Sequence, residues 1–285
     1  MVKHPDLHLH SNVSDGSDTP TELLERVRKT DIDAFSLTDH DAYLGNEEII
    51  RSLRDGDPLF LNGVEFSCRD EKGRYHILGY GFDSHELSIR EAVEITHNAR
   101  RQKADNRVRF LQEDFGFEFT DEEIAALLKN ENPGKPHFVS LLVKKGYVNS
   151  RAEGFELMSR YHGSERRLKP EEAVRAITES GGIPVLAHGI LADGSANLTK
   201  EEISARVELL VPFGLRGLEC YYSSYTPEQT EIMLNLADRH HLLVTAGSDY
   251  HGTNKKVPLG ASGNPDPART ADFFEEAEKI IRNRK

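Results

Sequence analysis

The sequence predicts an α/β fold built on a mostly parallel sheet, and three observations lead to this prediction. Short apolar runs typical of strands alternate with amphipathic helical runs along most of the chain. The alternation stops over residues 85–165, where every run has the period of a helix, and it returns at Pro170. Such alternation is typical of a closed barrel or of a doubly wound sheet, and the pattern alone leaves both open.

Seven runs are predicted as strands. The first, "DLHLH", points His8 and His10 to one face and Leu7 and Leu9 to the other, because successive side chains of a strand alternate. The third and fourth runs are separated by Lys72-Gly73, which predicts a hairpin. The strands are expected at residues 6–10, 32–38, 58–67, 74–82, 183–188, 216–222 and 242–248.

The amphipathic runs between these strands are predicted as helices. The first has Thr19 as its N-cap, Pro20 at the first helical position and Glu22, which completes a capping box. Outside the helical block, helices are expected at residues 19–30, 46–55, 170–180, 200–214, 226–240 and 270–283. We therefore expect one domain from residues 1–84 and 166–285, with an all-helical insertion, a cap domain, at 85–165.

Composition and charge argue against several functional classes. The chain has 285 residues, 37% of them hydrophobic and 29% charged, so a packed core is expected. A formal net charge of −12 argues against binding to duplex nucleic acid or to an anionic membrane. Cys68 and Cys220 stand far apart, which suggests neither a disulfide framework nor a zinc ribbon. With no transmembrane run and no signal peptide in view, we expect a cytoplasmic protein.

The placement of histidines and carboxylates is the main functional signal. Several of the 13 histidines stand at or just past the C-terminal end of a predicted strand, with His76 early in its strand as the exception. In a parallel barrel these ends converge on one mouth, and imidazole with carboxylate is the usual ligand set for zinc, manganese and iron. The residues are His8, His10, His40, His76, His188 and His251, with Asp15, Asp39, Glu65 and Asp249.

Each of these residues also has an ordinary structural explanation. Asp39 suits a helix N-cap, Glu65 suits an ion pair, and His76 inside an apolar strand is typical of a buried core histidine. Their coincidence at strand ends favours metal binding over these separate explanations.

Five motifs carry a resemblance to a known family. In chain order, "DLHLHSNVSDG", "LTDHD", "GVEFS", "HILGY" and "GSDYH" resemble the PHP (polymerase and histidinol phosphatase) family, in its stand-alone phosphoesterases with a helical insertion. The resemblance implies a distorted, TIM-like (β/α)7 barrel of seven strands. It also implies a trinuclear centre holding up to three divalent ions of manganese, iron or zinc.

The same resemblance implies a ligand set. The ligands expected for the first ion are His8, His10, Glu65 and Asp249. Glu65 is expected to bridge to a second ion that also takes His76 and His188. A third ion is expected between Asp15, His40 and His251. Asp6 and Asp39 are expected to orient imidazole rings.

Such a site is suited to hydrolysis of phosphate esters. Closely spaced divalent ions lower the pKa of a bound water and stabilise the leaving oxygen. The expected nucleophile is a metal-bridging hydroxide held by Glu65, Asp249 and His188. The expected substrate is a small phosphorylated molecule, such as a nucleoside 3',5'-bisphosphate, a nucleotide or a short single-stranded RNA end.

Substrate contacts are expected from the insertion. "GKPHFVSLLVKKG" resembles a stretch in which relatives carry Gly-Arg-Pro-His, and Lys135 replaces that arginine with a point charge. Lys135 and His137 are therefore predicted to contact phosphate, with an ordinary helix start as the alternative. After His188, where relatives often carry proline and then a basic residue, this chain reads "GILADGSANL", and we expect Arg166 and Arg167 to compensate.

Four other functions stay open on the sequence. Two are phosphoesterases, a cyclic phosphodiesterase acting on a phosphorylated sugar and a histidinol-phosphate phosphatase. An amidohydrolase-type deaminase is expected to have eight strands and often a bridging lysine, and a non-catalytic metal-stabilised module would not need a cap. The sequence does not indicate the oligomeric state.

Overall fold

Seven strands form one sheet in the computed structural model, which describes residues 2–128, 134–163, 166–191 and 197–283. Each strand lies beside the next one along the chain. The strands are β1 (Pro5–Leu9), β2 (Ala34–Leu37), β3 (Leu59–Asp70), β4 (Gly73–Tyr80), β5 (Ile183–Leu186), β6 (Gly217–Tyr222) and β7 (Leu243–Gly247).

The sheet curls into a nearly closed barrel. Most neighbouring strands are parallel, but β4 is antiparallel to β3 and β5 because a tight hairpin joins it to β3. The first and last strands meet around their C-terminal ends. There the His10 amide donates to the Tyr250 carbonyl and the Asp249 amide donates to the His8 carbonyl, each over 2.9 Å. The predicted α/β fold with a seven-stranded TIM-like barrel is confirmed.

Ten α-helices are present in the described part of the chain. They are α1 (Pro20–Val27), α2 (Leu44–Ser52), α3 (Leu87–Phe115), α4 (Asp121–Leu128), α5 (Lys135–Lys144), α6 (Arg151–Ser159), α7 (Pro170–Glu179), α8 (Lys200–Leu210), α9 (Pro227–His240) and α10 (Pro267–Asn283). The capping box predicted for α1 is present: the Thr19 hydroxyl accepts from the Glu22 amide, and the Glu22 carboxylate accepts from the Thr19 amide. None of the described helices is long and apolar enough to cross a membrane.

The outer face of the strands packs beneath the helices. Leu7 and Leu9 of β1 are fully buried, on the face opposite to His8 and His10. Leu7 shares a core cluster with Phe273 of α10, and Leu9 belongs to a second cluster that includes α1. A fully buried leucine side chain contributes about 1.5–3 kcal/mol, so this packing determines which face of β1 meets the barrel interior.

The chain forms two compact units, Met1–Val93 with Leu168–Lys285, and Glu94–Arg167. The first unit contains all seven strands of the barrel. The second unit is helical and has a core of its own, in which Phe138 and Leu142 of α5 are buried.

Candidate metal centre

All nine predicted metal ligands come from one end of the barrel. His8 lies in β1, and Glu65 lies in β3 beyond the residues that pair with β2. The other candidate ligands, apart from His76, follow the C-terminal ends of parallel strands. His76 lies early in β4, but because β4 is antiparallel, its early residues lie at the same end. The hairpin therefore explains the one histidine that the parallel pattern left out of place.

Glu65 of β3 lies at the centre of the cluster and is fully buried. Its Oε2 is 3.2 Å from the Nε2 atoms of both His8 and His10 and 3.0 Å from Nδ1 of His40. Its Oε1 is 2.8 Å from Nδ1 of His76 and 3.2 Å from Nε2 of His188. One carboxylate thus faces five imidazoles.

Asp249 and Asp15 supply the remaining carboxylates. Oδ1 of Asp249 lies 3.3 Å from Nε2 of His10 and 3.4 Å from Nδ1 of His251. Oδ1 of Asp15 lies 3.2 Å from Nε2 of His251, and its Oδ2 lies 3.8 Å from Nε2 of His40. Asp15, which the sequence places after a turn, therefore reaches the same cluster as the strand residues.

Two of the nine residues have a strained backbone. His188 has a φ of 27° and Asp249 a φ of 59°, in the left-handed region that non-glycine residues seldom adopt. Such conformations concentrate at functional sites, where the surrounding structure holds them in place. β5 ends at Leu186, two residues before His188 and earlier than the predicted residue 188.

The donor atoms of this cluster fit metal ions. Nε2 of His8, Nε2 of His10 and Oε2 of Glu65 are buried and make no hydrogen bond in the described part of the chain, although each nitrogen lies 3.2 Å from that oxygen. Ligand atoms bound at about 2.0–2.2 Å from one ion lie about 3.0–3.5 Å from each other, so the spacing suits coordination. Among the residues that the structure describes, four overlapping groups have potential ligand atoms within 4.8 Å of one another: His10, Asp15, His40, His251; His8, Glu65, His188; His8, His10, Asp249; and His40, Glu65, His76.

Charges within the cluster stabilise each other. Burial favours the neutral form of Glu65, but the imidazoles of His40, His8 and His76 outweigh it and hold the pKa of Glu65 well below its usual range. Burial lowers the pKa of His10, yet Asp249 and Glu65 raise it to about 10. The site therefore contains ionised carboxylates that attract positive charge, which is a property that a cation site requires.

Glu219 of β6 is a functional residue that sequence reasoning missed. Its Oε1 lies 2.9 Å from Nδ1 of His8, and its Oε2 accepts from the His188 amide over 2.7 Å. It is fully buried and orients a ring that the metal site uses, as carboxylates behind metal-bound histidines commonly do. The available signal was an acidic residue inside the apolar run "RGLECYY", where a buried charge needs a partner.

The prediction that Asp6 and Asp39 orient imidazole rings is wrong, because the hydrogen bonds of both carboxylates go to other groups. Asp6 accepts from the backbone amides of Ser248 and Gly260, each over 2.8 Å. Asp39 accepts from the amide and hydroxyl of Ser11 and from the hydroxyl of Ser14. Both carboxylates satisfy polar groups of loops that follow strands, because buried amides need acceptors.

Tyr222 and Lys255 hold the second oxygen of Asp249. The Tyr222 hydroxyl donates to Oδ2 of Asp249 over 2.6 Å, and the Lys255 ammonium contacts the same oxygen. This leaves Oδ1 directed at the histidines. Lys255 lies four residues beyond His251 in the loop after β7, and no sequence spacing marked it.

A cavity of about 340 Å³ opens beside these candidate ligands within the barrel unit. Its lining includes the candidate ligands His40, His76 and His188 together with Arg74 and Arg206. Cavities of about 300 Å³ and above are of the size that small-molecule ligands occupy.

All four predicted substrate contacts lie in the second unit, and Arg166 and Arg167 are its last two residues. Lys135 is the first residue of α5. His137 completes the start of that helix, since its Nδ1 accepts from the Gly134 amide over 3.1 Å. The roles of Lys135, His137, Arg166 and Arg167 in binding phosphate stay predictions.

A family model and several curated relatives match the chain. The PHP domain model matches residues 6–183. A 3',5'-nucleoside bisphosphate phosphatase of Chromobacterium violaceum is 30% identical over 94% of this chain and 92% of its own length. A phosphoribosyl 1,2-cyclic phosphate 1,2-diphosphodiesterase of Eggerthella lenta is 30% identical, over 89% and 96%. The 5'-3' exoribonuclease Rnm of Escherichia coli is 30% identical, over 90% and 87%.

A solved structure from Bifidobacterium adolescentis has the same fold. It is assigned as a metal-dependent phosphoesterase and superposes with a TM-score of 0.77 and 29% sequence identity. The match covers 95% of this chain and 96% of the other. The likeness therefore includes both the barrel and the helical segment.

Proposed function

Because this chain belongs to the PHP domain family and is a metal-dependent phosphoesterase, we propose that it hydrolyses a small phosphorylated substrate at the cluster centred on Glu65. The substrates that we favour are a nucleoside 3',5'-bisphosphate, a nucleotide or a short RNA end. The observation that carries the proposal is the convergence of five imidazoles on the buried carboxylate of Glu65.

In this proposal the nine clustered side chains hold up to three divalent ions of manganese, iron or zinc. When bound, such ions lower the pKa of water and neutralise the phosphoryl oxygens. Glu65 spans two groups of ligands, because its two oxygens face different histidines. Glu219 and Tyr222 keep His8 and Asp249 in the orientations that binding requires.

The substrate class is supported by what the relatives are named for. One acts on a nucleoside bisphosphate, one on a cyclic phosphate of a ribosyl sugar and one on RNA. The second of these keeps a cyclic phosphodiesterase as the alternative. The seven strands of the barrel favour a phosphoesterase over the eight-stranded amidohydrolase type, and the cavity beside the ligands favours an enzyme over a metal-stabilised module.

The proposal extends to the domain organisation of the chain. We propose that residues 1–84 and 166–285 form the metal-binding barrel and that residues 85–165 form a cap that supplies substrate contacts. A cytoplasmic location and the absence of a duplex nucleic-acid or membrane partner stay predictions.

A screen of phosphate release tests the proposal. The manganese-supplied protein should be assayed with adenosine 3',5'-bisphosphate, a 5'-phosphorylated RNA trinucleotide, a ribose 1,2-cyclic phosphate and histidinol phosphate. Hydrolysis of the first or second supports the favoured substrates, and hydrolysis of the third alone supports the alternative. Absence of hydrolysis on every ester in a metal-loaded, folded protein would contradict a phosphoesterase at this site.

A further inference from the structure

Arg206 of α8 is a buried cation beside the metal cluster. The residue is 8% exposed, and its side chain lines the same cavity as His76 and His188. In the described part of the chain it forms no ion pair with a carboxylate; its contacts are two backbone carbonyls and an aromatic ring. A buried charge without a counter-charge is costly, which indicates that an anion completes this site.

The contacts of Arg206 leave part of the guanidinium available. Nη1 donates to the Arg74 carbonyl over 2.8 Å and Nη2 to the Lys72 carbonyl over 3.1 Å, at the start of β4 and in the turn before it, which β5 does not pair. One face of the group lies over the Tyr75 ring, with 4.3 Å to the ring centre. A guanidinium has five N–H donors, and these two hydrogen bonds use two of them.

Arg74, an exposed residue, also lines this cavity. Arg74 and His76 stand two apart on β4 and therefore share a face, about 7 Å from each other along the strand. A compact molecule can reach both the ligand cluster and this pair of arginines. Bidentate guanidinium contacts are suited to phosphate oxygens.

From this geometry we infer that Arg206 and Arg74 form a subsite for a second phosphate of the substrate, distinct from the phosphate that is hydrolysed. The inference rests on the proposed phosphoesterase function and adds a requirement to it: the alcohol part of the preferred ester carries its own phosphate. It also places a phosphate contact in the barrel, in addition to the contact that the sequence predicts for Lys135 of the helical insertion.

A purely structural role of Arg206 predicts a different outcome. If the residue only caps the unpaired edge of β4, its loss lowers the unfolding temperature and reduces turnover of every ester by the same factor. A phosphate subsite instead predicts a loss that depends on the second phosphate. The loss of turnover on an ester with a second phosphate, divided by the loss on an ester without one, therefore distinguishes the two roles.

The test compares adenosine 3',5'-bisphosphate with adenosine 3'-phosphate and adenosine 5'-phosphate, using manganese-loaded wild type, Arg206→Gln and Arg74→Gln. Wild type should prefer the bisphosphate. In each variant kcat/KM for the bisphosphate should fall at least tenfold more than kcat/KM for the monophosphates, mainly through KM. The control is Arg175→Gln, an exposed arginine of α7 that stacks on Phe213 outside the cavity and should change none of these values.

Three results would overturn the inference. They are a wild type without preference for the bisphosphate, equal losses on all three substrates, and no loss in either variant. If Arg206→Gln does not fold, the kinetics of Arg74→Gln alone decide whether the subsite exists. A wild type that hydrolyses no ester at all would refute the proposed function, whereas an active wild type with unaltered selectivity in the variants refutes this subsite alone.

Discussion

Oε1 of Glu219 lies 2.9 Å from Nδ1 of His8, and both side chains are fully buried inside the barrel. The other oxygen of the same carboxylate accepts the backbone amide of His188 over 2.7 Å. Glu219 therefore connects two residues that the predicted ligand set assigns to two different ions. A single change at Glu219 should disturb both.

We expect Glu219→Gln to lower metal affinity by about ten- to a hundredfold, because the amide lacks the charge that makes the His8 ring a better ligand. The measurement is a metal titration of the stripped protein, followed by elemental analysis after dialysis. Glu276→Gln is the matched control, since Glu276 pairs with Arg216 and Lys279 on the outside of α10. Unchanged metal affinity in Glu219→Gln would show that Glu219 contributes to the packing of the barrel but not to metal binding.

Glu65→Gln should remove more metal than the loss of one histidine. Both of its oxygens face imidazoles, whereas His76 offers a single ligand atom in one of the four groups. Elemental analysis of purified Glu65→Gln and His76→Ala gives the comparison, and their phosphate release should fall in the same order. Equal metal content in the two variants would argue against Glu65 as a shared ligand.

Tyr222→Phe should weaken metal binding by about tenfold, because its hydroxyl fixes Oδ2 of Asp249 and so aims Oδ1 at the histidines. The readout is the rate of metal loss to a chelator, which does not depend on turnover. Tyr221→Phe, the neighbouring buried tyrosine on the other face of β6, is the control and should match wild type. Identical rates of metal loss in Tyr222→Phe and wild type would contradict the orienting role.

Lys135→Ala tests the substrate contact that the sequence assigned to the insertion. A lost charged contact to phosphate costs about 1.5–3 kcal/mol, which corresponds to a fall in kcat/KM of roughly ten- to a hundredfold. Metal content should not change, because all nine candidate ligands come from the barrel unit. Lys144→Ala, at the other end of α5, is the control. Unaltered kinetics in Lys135→Ala would contradict a phosphate contact by Lys135.

The parts of the fold that depend on local chemistry could be predicted from the sequence. The capping box at Thr19 and Glu22 begins α1 where expected, and the Lys72-Gly73 turn forms the hairpin. Element ends were less accurate: α1 stops at Val27, where the Thr30 hydroxyl bonds the Val27 carbonyl, rather than continuing to residue 30. Such ends depend on single hydrogen bonds that compete with the helix.

The nine candidate ligands could be predicted because each stands in a motif or at a strand end. Glu219 could not be assigned a role, since its partner His8 lies 211 residues away in the chain and meets it only when the barrel forms. Lys255 and Arg206 lie in a loop and on a helix where no spacing rule applies. The supporting residues of this site therefore emerge only from the packing of β6, β7 and α8 around the ligands.

Metal dependence of phosphate release is the most direct test of the account. Phosphate release from adenosine 3',5'-bisphosphate should be measured on the purified protein, after removal of metal by a chelator, and after manganese is restored, with metal content determined each time. The account predicts that activity disappears with the metal and returns with it, at up to three ions per chain. Full phosphate release from a protein shown to be free of metal would contradict it.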